Sequence, residues 1–204
     1  MSDFNKKNHW ENIYNTKQLN EVSWYQPTPE TSLQFIQKLK LSKDASIIDV
    51  GGGDSFLVDN LITLGYTNIT VLDISENAIE RAKKRLGENA SKIAWVISDI
   101  CDFEPSKKYA LWHDRAAFHF LNQKQEIEKY AQTLQNSLAE NGQLIIGTFS
   151  KSGPLKCSGI EITQYNPENL ASVFKELNLI ECQQIEHQTP FDTTQNFTFC
   201  RFSK

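Results

Sequence analysis

The sequence predicts an α/β fold built on a mostly parallel sheet. Three observations point there. Short apolar runs alternate with amphipathic helical stretches from residue 45 onward, giving five strands separated by helices. The first run ends in three consecutive glycines, as a buried strand feeding a tight turn does. Two β-like stretches then close the chain with no helix-length segment between them, so they pair antiparallel at one edge of the sheet.

Each element has a local reason. Thr28-Pro29-Glu30 is expected to cap a helix bearing Leu33, Ile36 and Leu39. Residues 46–50 (SIIDV) form the first strand. A helix over 56–64 follows, with Val58, Leu61 and Ile62 on one face and Gly65 as its stop. Residues 69–74 (ITVLDI) are the second strand, after which Ser75 caps a helix carrying Ile79, Ala82 and Leu86 and closed by Gly87. Residues 93–98 and 109–113 are the third and fourth strands. Asn122 with Gln125 resembles a capping box before Ile127, Tyr130, Ala131, Leu134 and Leu138. Asn141-Gly142 turns into the fifth strand, 144–149. Asn166-Pro167-Glu168 opens a helix through Leu177, and 179–186 and 196–202 are the closing pair.

At 204 residues, 39% hydrophobic and 23% charged, the chain is expected to be one domain spanning 1–204, with residues 1–40 as an N-terminal helical lid. A net charge of −4 gives no footprint for nucleic acid. No apolar run approaches the roughly 18 residues of a membrane span. The polar start offers neither a signal-peptide core nor a transit pattern. Four scattered cysteines without a CxxC pair argue against metal sites and a disulfide framework, and a reducing cytoplasm is the expected location. The aromatics are unevenly spread: Phe4, Trp10, Tyr14, Trp24 and Tyr25 fall within the first 25 residues, among polar neighbours. Rings in so polar a stretch need something to cover.

Ligands of open parallel sheets bind beyond the carboxyl ends of the strands. There the chain carries Asp49-Val50-Gly51-Gly52-Gly53-Asp54-Ser55, where bare backbone lets a ligand lie close. Asp73 ends strand two, 20 residues after Gly53, placed for a ribose hydroxyl pair. Asp99 follows strand three and suits an adenine amino group, with Ile100 offering an amide and an apolar contact. Phe56 stands where a dinucleotide fingerprint needs a small residue, and no GKS or GKT is present. Acids without a nearby Lys or Arg for a pyrophosphate suit a nucleoside carrying positive charge.

These residues resemble the class I S-adenosylmethionine-dependent methyltransferase pattern: Asp49-x-Gly51-x-Gly53, Asp73 with Ile74, and Ser98-Asp99-Ile100. The resemblance implies a Rossmann-like three-layer sandwich, a seven-stranded mostly parallel sheet of order 3-2-1-4-5-7-6 with strand seven antiparallel. It implies S-adenosyl-L-methionine as cofactor, Gly51 and Gly53 at its methionine part, Asp73 on the ribose, Asp99-Ile100 at the adenine and Asp49 near the amino group. Ser55 departs from a third glycine common in the family.

Trp10 and Tyr14, four apart, share one helical face, and Trp24 precedes the next helix. Two readings stay open: rings that cap the sheet, or a flap over the sulfonium. The arrangement is similar to that of thiopurine and thiol methyltransferases and of small lysine methyltransferases. After strand four, Trp112-His113-Asp114-Arg115 lacks the Asn/Asp-Pro-Pro-Tyr/Phe of base-methylating enzymes. His113, Asp114, Arg115 and His119 are the catalytic candidates, although in-line methyl transfer needs no obligatory base. Cys157 lies in a substrate-side loop with nothing evident to lower its pKa. The expected function is methyl transfer to a small soft nucleophile, thiol-like. A protein lysine and a nicotinamide-dependent oxidoreductase are the competing readings. The expected partner is a small molecule, with no nucleic acid, membrane or metal.

Overall fold

The computed structural model describes residues 4–204, so the first three residues of the expected lid lie outside the described residues. Helix α1 (Lys6–Thr16) and α2 (Glu30–Lys38) precede strand β1 (Ile47–Val50). Then come α3 (Leu57–Thr63), β2 (Ile69–Asp73), α4 (Glu76–Leu86), β3 (Ile93–Ile97), β4 (Tyr109–Arg115), α5 (Lys124–Ser137) and β5 (Leu138–Phe149). A short hairpin, β6 (Lys156–Cys157) and β7 (Ile160–Glu161), leads to α6 (Pro167–Val173), β8 (Asn178–Gln188) and β9 (Thr194–Ser203). Seven strands make one sheet in the order β3-β2-β1-β4-β5-β9-β8. With the hairpin left out of the count, that is the expected 3-2-1-4-5-7-6. β1 to β5 run parallel, and β9 is antiparallel to both of its neighbours.

Two-residue alternation splits the sheet between two cores. Ile47 joins Leu33, Ile36, Val58, Leu61 and Ile79 beneath α2, α3 and α4. Ile48 joins Trp112, Tyr130, Leu134 and Leu170 beneath α5 and α6. The same alternation on β4 sends Leu111 to the α2 side and Trp112 to the α5 side, and so fixes the faces of residues 113–115 beyond them.

Local expectations shift in four places. The capping box of α5 uses Gln123, whose amide donates to Glu126 Oε2, because the Asn122 side chain is occupied by Glu161 O and the Thr163 hydroxyl. α2 begins at Glu30, with Pro29 at the N-cap and no side-chain cap. α6 ends at Val173, since Phe174 and Leu177 turn into the core instead of continuing the helix. β5 starts six residues early, with Asn141 at φ 60° in a bulge opposite the start of β4. One cysteine expectation is overturned outright. Cys182 and Cys200 are register partners on β8 and β9 and are joined as a disulfide, a pairing that their spacing of 18 residues conceals and the hairpin register creates.

α1 is tied down at both ends. The Glu11 carboxylate caps α4, accepting from the Ser75 hydroxyl at 2.8 Å and from the amides of Glu76 (2.7 Å) and Asn77 (3.0 Å). Burial pushes the Glu11 pKa up, but the Asn77 and Glu76 amides and the Ser75 hydroxyl outweigh it and hold the carboxyl below its ordinary value. Arg81 of α4 donates to Tyr14 O and Lys17 O at 2.8 and 2.7 Å. Lys6 pairs with Glu126 of α5. Replacing Glu11 by Ala is expected to speed amide hydrogen exchange over residues 6–16 while the sheet exchanges as before. Unchanged exchange there would mean that the aromatic face alone holds the helix.

Candidate active site

The carboxyl ends of β1 to β4 and the inner face of α1 enclose a cavity with about 900 Å³ of atom-free space, its open mouth included. One end is acidic. Asp73 and Ile74 come from the end of β2, and Ser98, Asp99 and Ile100 from the turn after β3. The Ser98 amide donates to Asp73 O at 2.9 Å, which holds the two turns side by side. The other end is aromatic and is walled by Phe120, Phe149, Phe197, Trp24 and Arg115. Trp10 and Tyr14 close the roof. Trp10 meets Trp24 and Phe120 edge-on, with centroids 5.8 and 5.0 Å apart, and Tyr14 lies 6.3 Å from Trp24.

A second cavity opens on the far side of Gly51. It holds Asp49, Gly52 and Ser55, and shares Tyr14, Trp24, Gly51 and Arg115 with the first. Gly51 has φ 66°, and a Cβ there would run into Ala117, so only glycine makes this turn. Gly53 corrects the expected picture. It lines neither cavity; its bare Cα leaves room for the Asp73 carboxylate, which a Cβ would overlap. Its part is to seat Asp73.

Asp73 is 5% exposed, and its Oδ1 accepts from the Ser75 amide at 2.8 Å. Burial raises its pKa to about 7; the Ser75 amide works against this, and the nearby Asp49 and Glu11 carboxylates add to it. Asp49 pairs one oxygen with His113 Nδ1 at 2.7 Å, while its other oxygen is buried without a partner.

The catalytic candidates separate by face, and two of the four, Asp114 and His119, line neither cavity. His113 is buried and borders the second cavity, with Nδ1 on Asp49 and Nε2 on the Ser32 hydroxyl at 2.9 Å, so both ring nitrogens are engaged. Asp114 faces α5 and is fully buried. It accepts from the amides of Ala117 and Phe118 and from the Tyr130 hydroxyl, holding the turn after β4. Burial raises its pKa to about 6. His119 is fully buried against Phe149, and burial with the Arg115 charge lowers its pKa to about 3. It cannot serve as a base near neutrality. Arg115 lines both cavities, and His113 borders the second with both ring nitrogens engaged. Cys157 lines the first one, but burial raises its thiol to about 11.

Sequence reasoning missed Glu11 and Arg81, the clasp that sets the roof. Glu11 stands three residues before Tyr14 and so shares its helix face, which was the one available signal.

A methyltransferase-domain family matches residues 41–199, which covers most of the chain. The chain belongs to this family. It is a class I S-adenosylmethionine-dependent methyltransferase domain, and the family sets aside the nicotinamide reading. The mouse EEF1A lysine methyltransferase 2 is 28% identical over 69% of this chain and 64% of its own length. A malonyl-[acyl-carrier protein] O-methyltransferase of Anoxybacillus flavithermus is 35% identical over 51% of this chain and 39% of its own. The chain thus spans less than two thirds of either relative. Among solved structures, the N-methyltransferase NodS of Bradyrhizobium japonicum with S-adenosylhomocysteine superposes with a TM-score of 0.71 at 18% identity, over 98% of this chain and 99% of that one. A structure described as converting a disulfide bond into a thioacetal group during echinomycin biosynthesis reaches 0.79 at 16% identity, over 97% and 92%. At such identities the methyltransferase domain shares its fold with both. No described helix is long and apolar enough to cross a membrane, and no group of three potential metal ligands gathers among the described residues.

Proposed function

We propose that this chain transfers a methyl group from S-adenosylmethionine to a small soft nucleophile, thiol-like in chemistry. The observation that carries the reading is the cavity itself, acid-lined at one end, aromatic at the other and roofed by α1. The residues present fit the cofactor. Asp73 and Asp99 offer acceptors to a hydroxyl pair and an amino group, with Ile74 and Ile100 as apolar walls. The unpartnered Asp49 oxygen suits the ammonium. Gly51 supplies bare backbone at the methionine part, and Gly53 keeps Asp73 in place. Trp10, Tyr14 and Trp24 act as the lid, excluding water from the sulfonium.

When bound, S-adenosylmethionine supplies an electrophilic methyl: the acceptor's lone pair bonds to the carbon as the carbon–sulfur bond breaks, leaving a neutral thioether. The chain's contribution is alignment. No described His or carboxylate at the aromatic end is placed to take a proton, since His113, Asp114 and His119 are committed or too weakly basic. The acceptor therefore brings its own electron pair, and its proton leaves to water. That favours a soft nucleophile over an ammonium, which would also face the Arg115 charge. A protein lysine, the substrate in the name of one relative, is the second reading.

Incubation of the protein and a cell extract with methyl-deuterated S-adenosylmethionine, followed by mass spectrometry, separates the two. Label is expected in the low-mass fraction. Label confined to protein lysines would overturn the acceptor class, and failure to bind S-adenosylhomocysteine would overturn the whole reading.

A further inference from the structure

Arg115 is a half-buried cation with no ion-pair partner among the described residues. It extends from the end of β4, and its guanidinium rests 5.2 Å from the Phe197 ring centre. Nη1 donates to Trp24 O at 3.1 Å, while Nη2 has no solvent contact and no partner. Among the described residues no carboxylate forms an ion pair with it; the nearby Asp49 gives one oxygen to His113, and its other oxygen is unpartnered. Burial pulls its pKa down to about 10, which leaves it charged at neutral pH. The neighbouring Cys157 is a neutral thiol there, because burial raises it to about 11. A desolvated charge without a partner is costly, and folded chains keep one where a ligand completes it.

We infer that Arg115 selects an acceptor carrying an anionic group, a carboxylate or its equivalent, met by its guanidinium, with its apolar body among Phe149, Phe197 and Trp24. This rests on the methyl-transfer reading and names the substrate class of the same cavity. Two features place the anion with the acceptor. The Phe197 stack and the neighbouring Cys157 put the guanidinium on the β9 side, whereas the acids that suit the nucleoside lie at the ends of β2 and β3. The apolar wall beside the guanidinium also gives a ring or alkyl body somewhere to sit while the charge is met. The same Arg115 borders the second cavity, so the cofactor's own carboxylate is the rival anion, and the experiment has to separate them.

The probes are benzoate and benzamide, alike in shape and different in charge, titrated calorimetrically into the complex with S-adenosylhomocysteine. Wild type is expected to bind benzoate at least about 10-fold tighter, as a charge-assisted hydrogen bond supplies. In Arg115→Met the ratio is expected to fall to near one, with affinity for S-adenosylhomocysteine within about twofold of wild type. Arg115→Lys is expected to restore part of the preference. Equal affinities in wild type, or a preference that survives in Arg115→Met, would overturn the inference. So would a loss of S-adenosylhomocysteine affinity beyond about 10-fold in Arg115→Met, which would assign the guanidinium to the cofactor. If both variants fail to fold, a crystal of the wild-type complex with benzoate decides: a carboxylate on the Arg115 guanidinium supports the inference, and one elsewhere overturns it. Wild type that binds no S-adenosylhomocysteine counts against the methyl-transfer reading, and benzoate titrated into the free protein then still tests the guanidinium.

Discussion

Replacing Asp73 by Asn is expected to stabilise the free protein and to cripple cofactor binding. The folded pKa of about 7 lies well above the ordinary carboxylate value, and burial is the main cause. A raised acid favours folding in its protonated form. Its contribution is therefore complete below about pH 4 and is lost as pH rises toward 7. Three units correspond to roughly 4 kcal/mol at most, so the Asn variant should be about 2–4 kcal/mol more stable than wild type at pH 8, with the gain vanishing near pH 4. Chemical unfolding at the two pH values checks this. Asn keeps the oxygen that accepts from Ser75 but loses the charge offered to the ribose hydroxyls. S-adenosylhomocysteine should bind about 10- to 100-fold more weakly, the worth of one charge-assisted hydrogen bond or slightly more. In wild type the ionised carboxylate is the binding form, so the dissociation constant should rise about 10-fold between pH 8 and pH 6. An Asn variant that binds as wild type does would remove Asp73 from the site.

His113→Phe is expected to cost about 3–5 kcal/mol, because it leaves Asp49 buried with neither oxygen paired and strands the Ser32 hydroxyl. For a chain of this size that is a fall of about 10 °C in the unfolding midpoint. Methyl transfer per folded molecule should persist, since both ring nitrogens are already engaged and neither is free to take a proton. Loss of activity in a folded His113→Phe would return the histidine to the list of bases. The double variant with Asp49→Leu should unfold nearer to wild type than the single one does. An apolar pair leaves no orphaned charge, and the two substitutions share one contact.

The frame of the site was legible in the sequence. Asp73 and Asp99 were placed at the ends of their strands by the apolar runs before them and the cap at Ser75 after the first. The contents of the fourth strand's end were harder to read. His113, Asp114 and Arg115 are adjacent and look equivalent as catalytic candidates, yet alternation sends His113 toward α2 and Asp114 toward α5. A period-two reading of that strand separates their faces, although it does not say what each meets. The capping of α5 moved by one residue because Asn122 is claimed by a hairpin far along the chain. The Cys182–Cys200 pair was hidden for the same kind of reason: register, not spacing, brings the two together.

The alternation of strands and helices, the glycine turn at Gly51 and the positions of the acids behind it were all readable along the chain. Backbone conformation, side-chain period and capping act over a few residues and can be read locally. Long-range packing is what puts Asp49 and Ser32 on both nitrogens of His113, makes Glu11 and Arg81 clasp the roof, and brings Arg115 to the cavity without an ion-pair partner. Those outcomes depend on partners 64 or more residues away, and on the desolvation that packing imposes once they meet.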